Sequence, residues 1–99
     1  MHVQIAGFNE LKPKFPYGSI VATPNALRCI SQDEFIHGLQ RHIAGDWGTL
    51  EPEDWSANEH ALETGGRLFS VYYSSAEQKF WIITEADRSV TTVRLPEDY

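Results

Sequence analysis

The sequence predicts an α+β domain in which a helical layer, residues 24–63, packs on a C-terminal three-stranded antiparallel β-meander. Three observations lead there. Apolar residues between Ala26 and Leu62 recur at helical spacing. From Arg67 the pattern changes to runs rich in β-branched and aromatic residues, Arg67-Leu-Phe-Ser-Val-Tyr-Tyr73, Lys79-Phe-Trp-Ile-Ile-Thr-Glu-Ala-Asp87, which stops at a charged turn, and Val90-Thr-Thr-Val-Arg-Leu95. The short polar gaps between these runs, Ser74–Gln78 and Ala86–Ser89, suit hairpin turns. Ninety-nine residues, 41% hydrophobic and 12% aromatic, supply one core and therefore one domain, residues 1–99.

Taken in order, Val3 and Ile5 alternate with Gln4 and Ala6, which predicts an extra N-terminal strand over residues 2–8. Leu11-Lys-Pro-Lys-Phe-Pro-Tyr-Gly18 holds two prolines and a glycine and reads as a loop, with Ser19–Ala22 a short strand after it. Thr23-Pro24 is a helix start, because threonine accepts the cap bond and proline fits the first turn. That helix is short, ending near Ile30. Ser31-Gln-Asp-Glu34 then forms a capping box ahead of Phe35, Ile36, Leu39 and Ile43, which predicts a helix over 32–44 closed by Gly45. Glu51-Pro-Glu-Asp-Trp55 opens a third helix, which keeps its spacing through Asn58, Ala61 and Leu62 until Gly65-Gly66. In the middle run of the meander Trp81 and Ile83 share a face with Glu85, and Phe80 and Ile82 share the other with Thr84. Both faces are apolar, so this strand should be central and covered on both sides, with Trp81 in the core.

Composition excludes several function classes. Eight Lys and Arg against fourteen Asp and Glu leave a net charge of −6, a field that repels phosphate backbones, so no direct duplex nucleic-acid partner is expected. Cys29 is the only cysteine and is expected to be a buried thiol on a helix face, without a disulfide or a cysteine-based zinc site. The longest apolar run, Phe80–Ile83, is too short to span a bilayer, and the first residues show no signal-peptide pattern, which together suggest a cytoplasmic protein. His37 and His42 are five apart and lie on different helix faces, and Glu59-His60 lacks a second histidine, so no metal is expected. No glycine-rich phosphate loop or nucleophile elbow occurs, and no cofactor is expected.

Four groups of residues remain as candidates. Gly45-Asp-Trp-Gly48 is either a binding loop presenting Asp46 and Trp47, or a turn in which Asp46 caps the backbone and Trp47 plugs the core; the structural reading is preferred. Carboxylates at Asp46, Glu51, Glu53 and Asp54 gather around helix starts, where the helix dipole accounts for them, yet such an array also suits a basic protein surface. The turn Thr84-Glu-Ala-Asp-Arg-Ser89 places Glu85, Asp87 and Arg88 together beside the most apolar strand. There Asp87 is expected to make an Asx-turn with Arg88 in solvent, unless the group holds a partner. Finally, His42, Arg88, Thr91 and Thr92 would be the catalytic set if the chain were a small barnase-like or RelE-like ribonuclease or toxin domain, a reading that −6 opposes.

Arg41-His-Ile-Ala-Gly-Asp-Trp-Gly48, Asn58-Glu-His-Ala-Leu62, Gly66-Arg-Leu-Phe-Ser70, Trp81-Ile-Ile-Thr-Glu-Ala-Asp-Arg-Ser-Val-Thr-Thr92 and Leu95-Pro-Glu-Asp-Tyr99 resemble a group of small bacterial proteins carried by plasmids and integrative elements. Members are often labelled "plasmid-related protein" or "type I restriction endonuclease subunit M". The glycine-rich loop and Asn/Asp-Pro-Pro-aromatic motif of a methyltransferase are not in this sequence, so the second label does not carry over as an activity. What the resemblance implies is a context, mobile DNA close to restriction and other defence genes. The resulting expectation is a non-enzymatic protein that binds a basic, nucleic-acid-binding surface of a defence nuclease complex, in the manner of an anti-restriction or anti-CRISPR inhibitor. Homodimerisation through the sheet is a further alternative.

Overall fold

The computed structural model describes residues 13–98 and has an α+β architecture with three α-helices and a four-stranded mixed sheet. The strands are β1 (Ser19–Ala22), β2 (Leu68–Tyr73), β3 (Lys79–Thr84) and β4 (Val90–Arg94), in the order β1-β4-β3-β2. The helices are α1 (Pro24–Cys29), α2 (Gln32–Ile43) and α3 (Pro52–Thr64). The sheet is therefore not the three-stranded antiparallel one expected. β2, β3 and β4 pair antiparallel, but β1 adds a parallel partner to β4, with Ile20 opposite Thr91 and Ala22 opposite Val93. A parallel neighbour requires a crossover, here the three helices together with β2 and β3, and no local turn signal announces it. The strand expected over 2–8 lies outside the described residues.

The helix starts follow their caps. Thr23 Oγ1 accepts from the Ala26 amide, and Ser31 Oγ accepts from the Glu34 amide at 3.2 Å while donating to the Glu34 carboxylate. A 3-10 turn, Pro96–Asp98, docks on the first of these caps. Asp98 accepts from Thr23 Oγ1 and Asn25 Nδ2 and from its own strand end, the Leu95 amide, so one carboxylate fastens the end of β4 to the start of α1.

Alternation sorts the sheet into two faces. Ile20, Ala22, Leu68, Ser70, Tyr72, Phe80, Ile82, Thr84, Thr91 and Val93 are all buried and share the face on which α2 lies. Helix α2 comes close enough that a methyl group on Gly38 would press on the Phe80 ring and Ile82. Phe35, Leu39 and Ile43 complete that core from the helix side. The opposite face holds Phe69, Val71, Trp81, Ile83 and Thr92. β3 is central as expected, and Ile83 is buried, but Trp81 is partly exposed rather than lodged in the core. The tryptophan with no exposed surface is Trp47, stacked near Phe15 and set edge-on to His42. Cys29 is exposed, contrary to expectation, because α1 ends at Cys29 and the capping residue Ile30 takes the inward position.

The outer edge of β2 is covered by its own chain. Val71 donates to the Trp47 carbonyl and accepts from the Thr49 amide, and the Asn58 side chain pairs with both backbone groups of Phe69. A row of otherwise open N–H and C=O groups is thereby satisfied, which keeps the strand from pairing with another chain. The close approach of the Trp47–Thr49 segment demands a glycine. At Gly48, φ is +77° and an added Cβ would sit 1.9 Å from the Val71 carbonyl oxygen. Gly65 has a similar φ of +87° with open space around it. Gly48→Ala should therefore cost roughly 3 kcal/mol and Gly65→Ala only about 1 kcal/mol, read as denaturant midpoints at unchanged slope. Equal losses would show that backbone conformation alone, and not the contact with β2, sets the cost.

Candidate functional site

Two places combine several of the residues singled out by the sequence. The first is internal. His42, on the last turn of α2, has no exposed surface, and both ring nitrogens meet hydroxyls, Nδ1 with Ser70 Oγ at 2.6 Å and Nε2 with Thr84 Oγ1 at 2.9 Å. Thr84 Oγ1 lies 2.7 Å from Thr91 Oγ1, which donates to the Tyr17 carbonyl at 2.7 Å. That last bond fixes the direction of all the others. A carbonyl cannot donate, so the Thr91 proton is committed to Tyr17 and Thr91 must accept from Thr84. Thr84 must then accept from His42 Nε2–H, which leaves Nδ1 to accept from Ser70. The result is a one-way relay, Ser70 to His42 to Thr84 to Thr91 to Tyr17, crossing β2, α2, β3, β4 and the loop before β1.

Each polar group in the relay is satisfied in the neutral state, and the surroundings enforce that state. Phe15 and Trp47 stand edge-on to the imidazole at 5.4 and 5.5 Å. Burial, with a smaller push from the charge of Arg88, lowers the His42 pKa from 6.5 to about 3. His42 is thus a core histidine, not an accessible general base. Thr92, by alternation, lies on the opposite face, opposite Ile83. Arg88 does not point a free guanidinium at the imidazole either. Its Nη1 donates to the Gly66 and Glu85 carbonyls at 2.6 and 3.2 Å, and its Nη2 to the Ala61 carbonyl at 3.1 Å. Of His42, Arg88, Thr91 and Thr92, only His42 and Thr91 share a hydrogen-bond network, and that network is closed to solvent.

Arg88 is instead a clasp. It occupies the left-handed region at φ +62°, and its cation sits on carbonyls at the C-terminal end of α3, where the helix dipole is negative. The expectation of an Arg88 in solvent is corrected, whereas the Asx-turn at Asp87 is present, with the Ser89 amide donating to Asp87 Oδ1 at 3.0 Å. That bond and the Ser89 side chain hold the Asp87 carboxyl below its ordinary pKa.

The second place is the surface around α3. Glu51 is the N-cap without a side-chain cap bond, Glu53 and Asp54 fill the first turn, and all three are exposed. Asp87 is exposed and Glu85 partly so, at the far end of the same helix, where Arg88 ties their turn to Ala61. The acidic candidates thus form two groups, one at each end of α3. Asp46 belongs to neither. It makes a two-pronged ion pair with Arg41, Nε to Oδ2 at 2.8 Å and Nη2 to Oδ1 at 3.2 Å, and accepts from the Gly48 amide. The Arg41 hydrogen bonds hold its carboxyl below the usual range. Trp47 donates its indole N–H to Glu59 at 2.7 Å and is buried, so Gly45–Gly48 has the features of the turn reading rather than of a presented loop.

Between α3 and the second sheet face runs a groove of about 350 Å³ with Phe69, Trp81 and Ile83 for a floor and Asp54, Ala57, Asn58 and Arg67 around it. Sequence reasoning missed Arg67 and Phe69 as site residues, and Ser70 as a partner of His42. Their alternation along β2 was visible, but which face would stay open was not. Among the described residues no group of three or more His, Cys, Asp or Glu is arranged to hold a metal ion, and no helix is long and apolar enough to cross a membrane. Comparison with protein-family models, with curated proteins and with solved structures gives no match.

The relay makes a pH prediction whose sign follows from linkage. Below pH 6.5 the unfolded chain protonates His42 and the folded chain does not until about pH 3. Stability is therefore full above 6.5 and falls as pH drops, by about 1.4 kcal/mol per unit once well inside that window. His42→Gln, which keeps a donor and an acceptor without titrating, should flatten the slope between about pH 6 and 4.5. Urea unfolding across that range decides it; an identical slope in the variant would show that another group titrates.

Proposed function

We propose that this protein acts by binding a protein partner, and that the partner presents a basic, nucleic-acid-binding surface. The observation that carries this reading is the contrast between the two candidate places. The cluster with catalytic residue types is sealed, neutral and internally satisfied, while exposed carboxylates stand at both ends of α3. Residues 51–64 include five acidic side chains and no Lys or Arg. Their first-turn members compensate the helix dipole and Glu59 accepts from the Trp47 indole, but Glu63 lies beyond the reach of either explanation. The net charge of −6 and the resemblance to plasmid- and integrative-element proteins support the finer reading, an inhibitor or modulator of a bacterial defence nuclease complex of the anti-restriction or anti-CRISPR type. Action inside the bacterial cytoplasm belongs to the same reading.

Complementary charge accelerates encounter more than it slows dissociation. Against a defence complex recovered by pull-down, surface-plasmon kinetics should show an association rate that falls steeply between low and physiological salt. Replacing Glu51, Glu53, Glu85 and Asp87 by their amides should lower that rate roughly tenfold at low salt while leaving the circular dichroism unchanged, since exposed carboxylates contribute little stability. An association rate indifferent to both salt and these substitutions would sink the acidic-surface reading.

The rival, a small ribonuclease, draws on the His42–Thr84–Thr91 contact. It predicts cleavage of labelled RNA that disappears in His42→Gln; the binding reading predicts intact RNA and single-stranded DNA with and without divalent cations.

A further inference from the structure

The groove beside α3 has an internal order of charge. Helix α3 and strand β2 run in opposite directions, as their contacts show. Gly66, just before β2, lies against Ala61, and three residues further along the chain Phe69 pairs with Asn58, three residues back along α3. Taking the Asn58–Phe69 pair as origin, Asp54 lies four helical residues to one side, about 6 Å along the axis. Arg67 lies two strand residues to the other side, about 7 Å. Asp54 and Arg67 thus mark opposite ends of the groove, their backbone positions some 13 Å apart along it by those rises. Neither has a hydrogen-bond or ion-pair partner among the described residues. Between them the floor is apolar, with Phe69 and Trp81 in edge-to-face contact at 5.4 Å beside Ile83. Ala57, which lines the groove from the helix together with Asp54 and Asn58, is small enough to leave the space open.

We infer that this groove receives an extended segment of the protein partner whose side chains run basic, apolar, acidic at every second position. The spacing selects the conformation. Four extended residues advance about 13 Å, and residues i, i+2 and i+4 of a strand share one face. A cation at i then meets Asp54, an apolar side chain at i+2 rests on Phe69, Trp81 and Ile83, and a carboxylate at i+4 meets Arg67. The apolar anchor supplies affinity and the two rim charges supply register, the usual division of labour in a small interface. This rests on the reading of the protein as a binder and names where one contact of that interface forms.

The test uses the full chain and three blocked pentapeptides, acetyl-Lys-Thr-Leu-Thr-Glu-amide and the two versions carrying Lys at both ends or Glu at both ends. Chemical-shift titration of the labelled protein, followed at the Trp81 indole and the Phe69 amide, should show the mixed peptide binding roughly threefold to tenfold more tightly than either single-sign peptide, the range expected of exposed charge pairs. Because a short peptide can lie in either direction, the decisive variants invert one charge at a time. Asp54→Lys should move the preference to the doubly acidic peptide, and Arg67→Glu to the doubly basic one. Both positions are exposed, and unchanged amide spectra away from the groove would show the variants folded. No shift at the groove, equal binding of all three peptides, or preferences that ignore the inversions would overturn the proposal. A captured partner that binds both inverted variants as well as wild type would overturn the groove and leave the acidic-surface reading standing. Mixed-peptide binding with no partner captured at all would do the reverse.

Discussion

The structure depends on one imidazole held neutral in its core. His42 links the helix layer to three strands through hydroxyl groups that would each be costly to leave unpaired at that depth. The relay is unidirectional because its last acceptor is a backbone carbonyl, and this selects one histidine tautomer. Apolar packing alone would let α2 slide or rotate on the sheet with modest loss. A chain of directional bonds through Ser70, Thr84 and Thr91 admits one placement, which is the specificity that a satisfied buried polar network provides. The same burial explains why these residue types do not make an accessible catalytic centre.

Around that core the second sheet face is organised by a helix that is attached at its middle and its C-terminal end. Asn58 fixes the middle of α3 to the edge of β2, and Arg88 holds its C-terminal carbonyls. Trp47 fills the space beneath the connector and reaches Glu59. These few bonds set the width of the groove, since they decide how far α3 stands from Phe69 and Trp81. They also leave the acidic side of the helix facing water.

The signals legible in the sequence are those that act locally. The Thr23 cap, the Ser31–Glu34 box, the Asp87 turn and the alternation of β3 each involve residues within a few positions of one another. What was illegible depends on distant pairing. Nothing near Ser19–Ala22 specifies a parallel partner some seventy residues away, and nothing around His42 indicates that Ser70 and Thr84 will meet it. The misplaced tryptophan has the same origin. Trp81 sits in the most apolar run, but burial is decided by what covers a face, and the connector carrying Trp47 is pinned between α2 and the edge of β2. The acidic candidates were identifiable as residues, yet their division into two groups at the ends of α3 required the tertiary fold.

Arg88 carries a lesson for redesign. Its backbone stands at φ +62°, where glycine or asparagine would be more comfortable, and a designer improving the turn between β3 and β4 would replace it. The exchange would relax the hairpin and release the far end of α3 in the same step, because the guanidinium that ties down Ala61 and Gly66 hangs from that strained position. The best residue for the turn is thus the wrong residue for the domain. Wherever a long cationic side chain persists in a left-handed turn, the local discomfort is itself a sign that something distant is being held.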